Sequence, residues 1–240
     1  MKDNLLKYIV TAKQNNERLL AILLDPDKIE LEELPVLIQK IEKSDTNLIF
    51  VGGSLLFKNI LDQFVKTVKQ HTELPVILFP GSAIQITNEA DAILFLQLIS
   101  GRNPEYLISN QVIAAPLLKQ TNLEVISTGY LLIESGRETT ASYISNTKPL
   151  PAHKPEIAMA TALAGEYMGQ KLMYLDGGSG ALNSVPTKLI TKVSKAINLP
   201  IIVGGGLKTK QQIDAVYNAG ATVVVVGTAF ENDENILTNI

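Results

Sequence analysis

The sequence predicts an α/β fold, a (β/α)8 barrel of the TIM type, and three observations predict it. Short apolar runs recur eight times along the 240 residues, most of them continuous rather than alternating, as befits strands buried on both faces. Most runs are separated by stretches whose apolar residues return every three to four positions, the spacing of a helix with one buried face. Glycines crowd the ends of the last three runs, where barrels of this kind build phosphate sites; a doubly wound sheet usually places them after its first strand.

The elements follow in order. Leu19–Leu24 is the first strand, ending at Asp25-Pro26-Asp27-Lys28. Leu31, Leu34, Ile38 and Ile41 then mark a helix face. Residues 48–51 form the second strand, which ends at Gly52-Gly53-Ser54, and Leu56, Ile60, Phe64, Val65 and Val68 mark the next helix. Residues 75–79 are the third strand, ending at Pro80-Gly81-Ser82. The stretch 83–91 is too short for a full helix, so the third helix is expected to be reduced or missing. Residues 92–98 are the fourth strand, and Pro104 can start a helix. Residues 123–133 carry the fifth strand. Residues 139–155 are polar and proline-bearing and read as a long loop. A helix over 157–168, the sixth strand Leu172–Asp176 and a helix face of Leu189, Ile190, Val193 and Ile197 come next. The seventh strand is 200–203, followed by a helix over 209–218 that Gly220 stops. The eighth strand is 222–226. No linker or low-complexity segment divides the chain, so one domain over 1–240 is expected.

Composition narrows the function. Hydrophobic residues make up 46% and charged residues 19%, with a net charge of −3. That balance argues against a nucleic-acid partner, which needs a clustered positive surface. Without cysteine, thiolate and disulfide chemistry are excluded, and a reducing cytoplasm is the expected location. Residues 1–5 lack an apolar signal core, and no run approaches the ~20 residues of a membrane span. Only two histidines occur; His71 and His153 lie in polar, surface-like contexts and receive no role.

The chemistry gathers at strand ends. Tyr174-Leu175-Asp176-Gly177-Gly178-Ser179-Gly180-Ala181 turns a strand into a glycine loop. Such a loop lets backbone N–H groups converge on a phosphate. Val203-Gly204-Gly205-Gly206 and Gly227-Thr228 repeat the pattern, and neither has the spacing of a GxxxxGK[ST] nucleotide loop. Glycines also simply end strands, but three such loops in succession point to one shared phosphate site. Asp25, after the first strand, reads either as a helix cap or as a magnesium ligand, since that ion takes hard oxygens and borrows others from phosphates. The Ser54 hydroxyl, at the end of the second strand, can reach the same ion. Asp176 reads as a general base or as a helix-start carboxylate.

Together these loops resemble the geranylgeranylglyceryl phosphate synthase family, which is related to the bacterial heptaprenylglyceryl phosphate synthases. The likeness rests on Leu24 to Lys28, Gly52-Gly53-Ser54, Phe79 to Ser82, Tyr174 to Ala181, Val203 to Gly206 and Gly227-Thr228. It implies a TIM barrel without a full third helix. It also implies a Mg2+-dependent prenyltransferase that joins sn-glycerol 1-phosphate to geranylgeranyl diphosphate through an ether bond. On that resemblance Asp25 and Ser54 would sit at the magnesium. Tyr174, Leu175, Asp176, Gly177, Gly178, Ser179, Gly180, Gly205, Gly206, Gly227 and Thr228 would hold glycerol 1-phosphate, with Tyr174 and Asp176 catalytic. The family's usual Tyr-x-Glu stands here as Tyr174-Leu175-Asp176, one methylene shorter. Tyr106 aligns near an aromatic that closes the far end of the prenyl groove and favours a C20 donor. A homo-oligomer, dimer or hexamer, is also implied. The residues by themselves leave open a longer prenyl donor, a different phosphate-sugar barrel enzyme such as an isomerase or epimerase, and a non-catalytic phosphate-ligand binder.

Overall fold

The computed structural model describes residues 4–227. Eight parallel strands close into a barrel in chain order, the last pairing back onto the first. They are β1 (Leu19–Leu24), β2 (Thr46–Val51), β3 (Val76–Leu78), β4 (Ala92–Gln97), β5 (Glu124–Leu132), β6 (Leu172–Asp176), β7 (Ile201–Gly204) and β8 (Val223–Val226). The apolar runs are continuous because each strand is covered on both sides. Leu19 and Ala21 point into the barrel with Phe50, Ile77 and Tyr174. Leu20, Ile22 and Leu24 point outward and pack with helix residues such as Ile38 and Ile41. Successive side chains of a strand alternate between faces, so the inner and outer cores divide every run between them.

An N-terminal helix, α1 (Leu5–Gln14), closes the barrel at the N-terminal ends of its strands. Its Leu5, Ile9 and Ala12 belong to the interior core. That i, i+4, i+7 spacing is a helical signal which the sequence reading left unassigned. The Glu124 carboxylate at the start of β5 accepts the N–H groups of Leu5 and Leu6, which places an anion at the helix's positive end.

The outer helices are α2 (Leu34–Glu42) after β1 and α3 (Leu61–Gln70) after β2. After β4, a π turn (Glu105–Ser109) runs into α4 (Asn110–Leu118). Two helices follow β5, namely α5 (Thr140–Ser145) and α6 (Pro155–Tyr167). The last are α7 (Thr187–Ser194) and α8 (Lys210–Asn218). Between β3 and β4 the chain crosses by turns alone, with no helix. The expected third helix is therefore missing, and the wall beside β4 has no helix over it on that side.

Several local expectations are corrected. Leu31 precedes α2 and Ile197 follows α7 instead of lying on them. Leu56 and Ile60 precede α3 instead of lying on it, because the Asp27 carboxylate accepts the N–H groups of Phe57 (2.7 Å) and Lys58 (2.9 Å) and holds that stretch as a loop. The segment 139–155 is not a structureless loop. Thr139 caps α5 in a capping box in which Ser142 takes the place of the usual Glu or Gln, and Ile133 and Leu150 form a parallel bridge.

The loops after β2 and β3 are clamped together. Buried Gln85 accepts from the Gly81 N–H (2.9 Å) and donates to the Gly53 carbonyl (3.2 Å). A Cβ on Gly52 would fall inside the contact radius of the Phe79 carbonyl oxygen, which is backbone and cannot step aside. Gly52→Ala is accordingly expected to destabilise the fold by about 2 kcal/mol, a fall of about 4–8 °C in Tm, read by thermal unfolding.

Candidate active site

A cavity of about 640 Å³ opens over the C-terminal ends of the strands. Its floor is a row of aromatic rings that the barrel interior supplies. Phe79 stacks on Tyr174 (centroids 4.9 Å apart, planes at 18°), and Tyr130 meets Tyr174 edge-on at 5.5 Å. One side of the cavity is polar and glycine-lined. The other runs down the side of the barrel between β4 and α4, past Ile93, Leu96, Ala114 and Leu118.

The polar side gathers most of the expected cradle. Tyr174, Asp176, Gly178, Ser179, Gly180, Gly205, Gly206 and Gly227 all line it. Leu175 does not, because its side chain alternates outward into the helix-facing core. Gly177 does not either, since its N–H is spent on the Gly204 carbonyl at 3.0 Å. Thr228 lies outside the described residues. Gly178, Gly180, Gly205 and Gly206 all have left-handed backbone, with φ of 86°, 73°, 84° and 71°. At Gly205 the need for glycine is doubled, because a Cβ there would lie 2.7 Å from Asp176 Oδ1 and 2.8 Å from the Gly177 nitrogen. Three cations that the sequence did not single out for this site also line the cavity: Lys28, Arg137 and Lys208. The Arg137 guanidinium lies against Gly180, so it brings a positive charge to that loop.

Asp176 ends β6 as a buried carboxylate with two donors. Tyr130 Oη donates to Oδ2 at 2.6 Å and the Gly178 N–H donates to Oδ1 at 2.8 Å. Burial raises its pKa, and the bonds from Tyr130 and Gly178 pull it partly back down. Burial likewise pushes the phenols of Tyr130 and Tyr174 well above their ordinary range, with the charge on Asp176 adding to it. Tyr130 is therefore held protonated, as a donor to the carboxylate. The sequence reading assigned Tyr130 no role, since a tyrosine inside an apolar strand looks like core until its partner on the next strand is known.

Asp25 and Ser54 line the cavity from the ends of β1 and β2. Asp25 is braced by the Asp27 N–H on Oδ1 (3.1 Å) and faces the Lys28 ammonium from Oδ2 (3.4 Å). A Cβ on Gly53 would come within 3.0 Å of Asp25 Oδ1, so the residue before Ser54 packs directly on this carboxylate. Among the described residues no group of three or more His, Cys, Asp or Glu side chains is placed to hold a metal ion. The pair offers one carboxylate and one hydroxyl, hard oxygens of the kind magnesium takes when a substrate's phosphates and water supply the rest.

Tyr106 lines the cavity from the π turn, with its hydroxyl 3.5 Å from the Ile144 carbonyl. A π turn frees backbone groups, and the Gln111 amide covers two carbonyls, bonding Leu96 O at 2.6 Å and Tyr106 O at 3.2 Å. The Tyr106 carbonyl accepts from the Leu98 N–H at the top of β4. The wall continues below that level to Ala114, Leu118 and Ile93. No helix among the described residues is long and apolar enough to cross a membrane.

Fold and site together define a (β/α)8 barrel in which one cavity joins a glycine-lined anion cradle, a buried carboxylate and an apolar side groove. The comparisons place it further. Residues 12–240 match the model of the PcrB family, and the chain belongs to that family. It is 55% identical over 229 residues to a geranylgeranylglyceryl phosphate synthase of Flavobacterium johnsoniae, covering 95% of this chain and 94% of that one. It is 41% identical over 237 residues to the synthase of the same name from Pyrococcus furiosus, covering 98% and 94%. The solved (S)-3-O-geranylgeranylglyceryl phosphate synthase of Thermoplasma acidophilum, in complex with its substrate sn-glycerol-1-phosphate, superposes with a TM-score of 0.92 at 31% identity, covering 98% of this chain and 94% of that one. The wild-type enzyme of Thermoplasma volcanium gives 0.91 at 33%, with the same coverage.

The crowding at Gly205 gives a direct expectation. Gly205→Ala forces both left-handed strain and a displaced Asp176, and should weaken binding of a small phosphate ester to this loop by about tenfold or more, the equivalent of ~1.4 kcal/mol. Titration calorimetry on the folded variant reads it.

Proposed function

We propose that the protein is a prenyltransferase, a geranylgeranylglyceryl phosphate synthase, with the whole chain as one barrel domain. It joins sn-glycerol 1-phosphate to geranylgeranyl diphosphate through an ether bond and releases diphosphate. The observation that carries the reading is the shape of the cavity: the glycine cradle and Asp176 open into the same space as an apolar groove made possible by the absent helix. A phosphate-sugar isomerase or epimerase has use for the cradle and none for the groove. The homologues named above support the same reaction.

The residues divide the work. Left-handed glycines and Arg137 hold the phosphate of glycerol 1-phosphate, which fixes its free 3-hydroxyl over the aromatic floor and supplies a proximity effect. Asp176 is the base for that hydroxyl as it attacks the allylic carbon. Lys28 and Asp25, on the loop after β1, face the place where the diphosphate leaves. Asp25 and Ser54 would hold a magnesium ion, which would supply charge neutralisation for that leaving group. The hydrocarbon chain lies in the groove, where every buried CH2 contributes about 0.8 kcal/mol. The exposed side chains Ile108, Val112, Ile113 and Leu117 along the π turn and α4 support assembly into a homo-oligomer, a dimer or hexamer. The absence of cysteine supports a cytoplasmic site of action.

The reading is tested by incubating the purified protein with sn-glycerol 1-phosphate, Mg2+ and a ladder of prenyl diphosphates. Ether product with the C20 donor is the expected result, and no product with any donor would leave a binding protein in its place. Asp25→Asn should keep the fold, lower kcat by ~100-fold and flatten the dependence on magnesium concentration in steady-state kinetics. Tyr106 is assigned the limit on chain length, because groove-lining positions continue below its level. Tyr106→Ala should therefore raise the ratio of kcat/KM for C35 over C20 donors by about tenfold or more, since even two further buried methylenes at about 0.8 kcal/mol each exceed the energy of a tenfold change. An unchanged ratio would remove Tyr106 as the ruler.

A further inference from the structure

We infer that Tyr130 relays the substrate's proton to Asp176, so that the acid–base unit of this chain is a tyrosine–aspartate pair on neighbouring strands. The inference rests on the prenyltransferase reading above. Oδ1 of Asp176 is tied to the Gly178 N–H at 2.8 Å and confined by Gly205, where even a Cβ would come within 2.7 Å of it. Oδ2 is tied to Tyr130 Oη at 2.6 Å. Asp176 lines the cavity with both oxygens engaged, so its carboxylate cannot move further out to meet a substrate without giving up a bond. Tyr130 lines the cavity itself, and its ring is fixed between Phe79 at 6.1 Å and Tyr174 at 5.5 Å. A glutamate at position 176, the residue usual in the resembling family, would carry its carboxylate one methylene further. With aspartate, the phenol oxygen is the rigid polar atom that extends the pair.

The glycerol hydroxyl oxygen bonds to the allylic C1 while the bond from C1 to the diphosphate oxygen breaks, its electron pair leaving with diphosphate. The hydroxyl proton moves to Tyr130 Oη as the proton of Tyr130 moves to Asp176 Oδ2. Tyrosine is neutral before and after, so the burial that disfavours a free phenolate does not oppose the relay.

Steady-state kinetics with sn-glycerol 1-phosphate and geranylgeranyl diphosphate on wild type, Tyr130→Phe, Asp176→Glu and the double variant test this. Tyr130→Phe keeps the ring and should lower kcat by ~100-fold, with KM for glycerol phosphate within about threefold, because the cradle is untouched. The acid limb of its kcat profile should move to higher pH, since the lost hydroxyl had lowered the pKa of Asp176. In the Asp176→Glu background the same change should cost less than about tenfold, because the longer side chain reaches the substrate itself. In the wild type, the solvent isotope effect on single-turnover transfer should curve with deuterium fraction, as two protons move together; a straight line would overturn the relay even if Tyr130→Phe failed to fold. An active wild type whose Tyr130→Phe variant keeps its kcat and acid limb, or pays equally in both backgrounds, overturns this inference alone. A wild type that makes no ether product with any donor overturns the prenyltransferase reading and the relay with it.

Discussion

The site depends on keeping one carboxylate buried and usable. Burial disfavours the charged form of Asp176 and raises its pKa. The linkage sign follows: a carboxyl whose folded pKa is raised favours the fold at low pH, and that advantage is lost as pH rises through the folded pKa. Above its folded pKa the ionised side chain therefore works against stability. Among the described residues two bonds, from Tyr130 and Gly178, offset it. Much else in the loops follows from protecting that arrangement. Gly205 is glycine because a side chain there would collide with Oδ1, and the Gly177 N–H is turned back into the ladder on Gly204.

The missing helix is the second constraint, and it works by subtraction. A barrel strand must be covered on its outer face, because its outward residues are as apolar as its inward ones. β3 is short, at three residues, so little outer face needs covering there. The crossing from 79 to 91 is held by the Gln85 clamp and by Asp91, whose carboxylate takes the Lys69 ammonium at 2.6 Å and the Val76 N–H at 2.8 Å. Local hydrogen bonds thus hold this crossing without a helix, and the side of β4 stays open as a groove that α4 walls from the other side.

Much of this was legible in the sequence because period and punctuation carry it. Continuous apolar runs, several of them ending in glycine, marked the eight strands, and the short stretch before Ala92 marked the absent helix. α1 was missed although Leu5, Ile9 and Ala12 have helical spacing, since nothing in the sequence says that a barrel's open end needs a plug. α5 was missed because its cap, Thr139 with Ser142, lacks the Glu or Gln that usually signals one. In the candidate site, Asp176 and the glycines could be read from their loops. Tyr130 could not, because its meaning lies in a bond to a residue 46 positions away. Arg137 could not either, since its place in the site comes from lying on the loop after β5 against Gly180 on the loop after β6.

In a closed parallel barrel, order along the chain becomes order around the ring. Asp25 and Ser54 follow β1 and β2, the groove lies along β4 beside the bare crossing from β3, and the cradle follows β6, β7 and β8. Because β8 pairs with β1, the cradle and the Asp25 loop are neighbours although they stand far apart in sequence. A substrate phosphate, a leaving diphosphate and a hydrocarbon chain can then be assigned to three adjoining arcs of one rim. The strand left between the groove and the cradle is β5, and its inward residue at that level is Tyr130, whose ring touches both Phe79 and Tyr174. On the proposed reaction, a group in that position stands where the prenyl carbon and the glycerol hydroxyl would come together, which is where a proton would have to be moved.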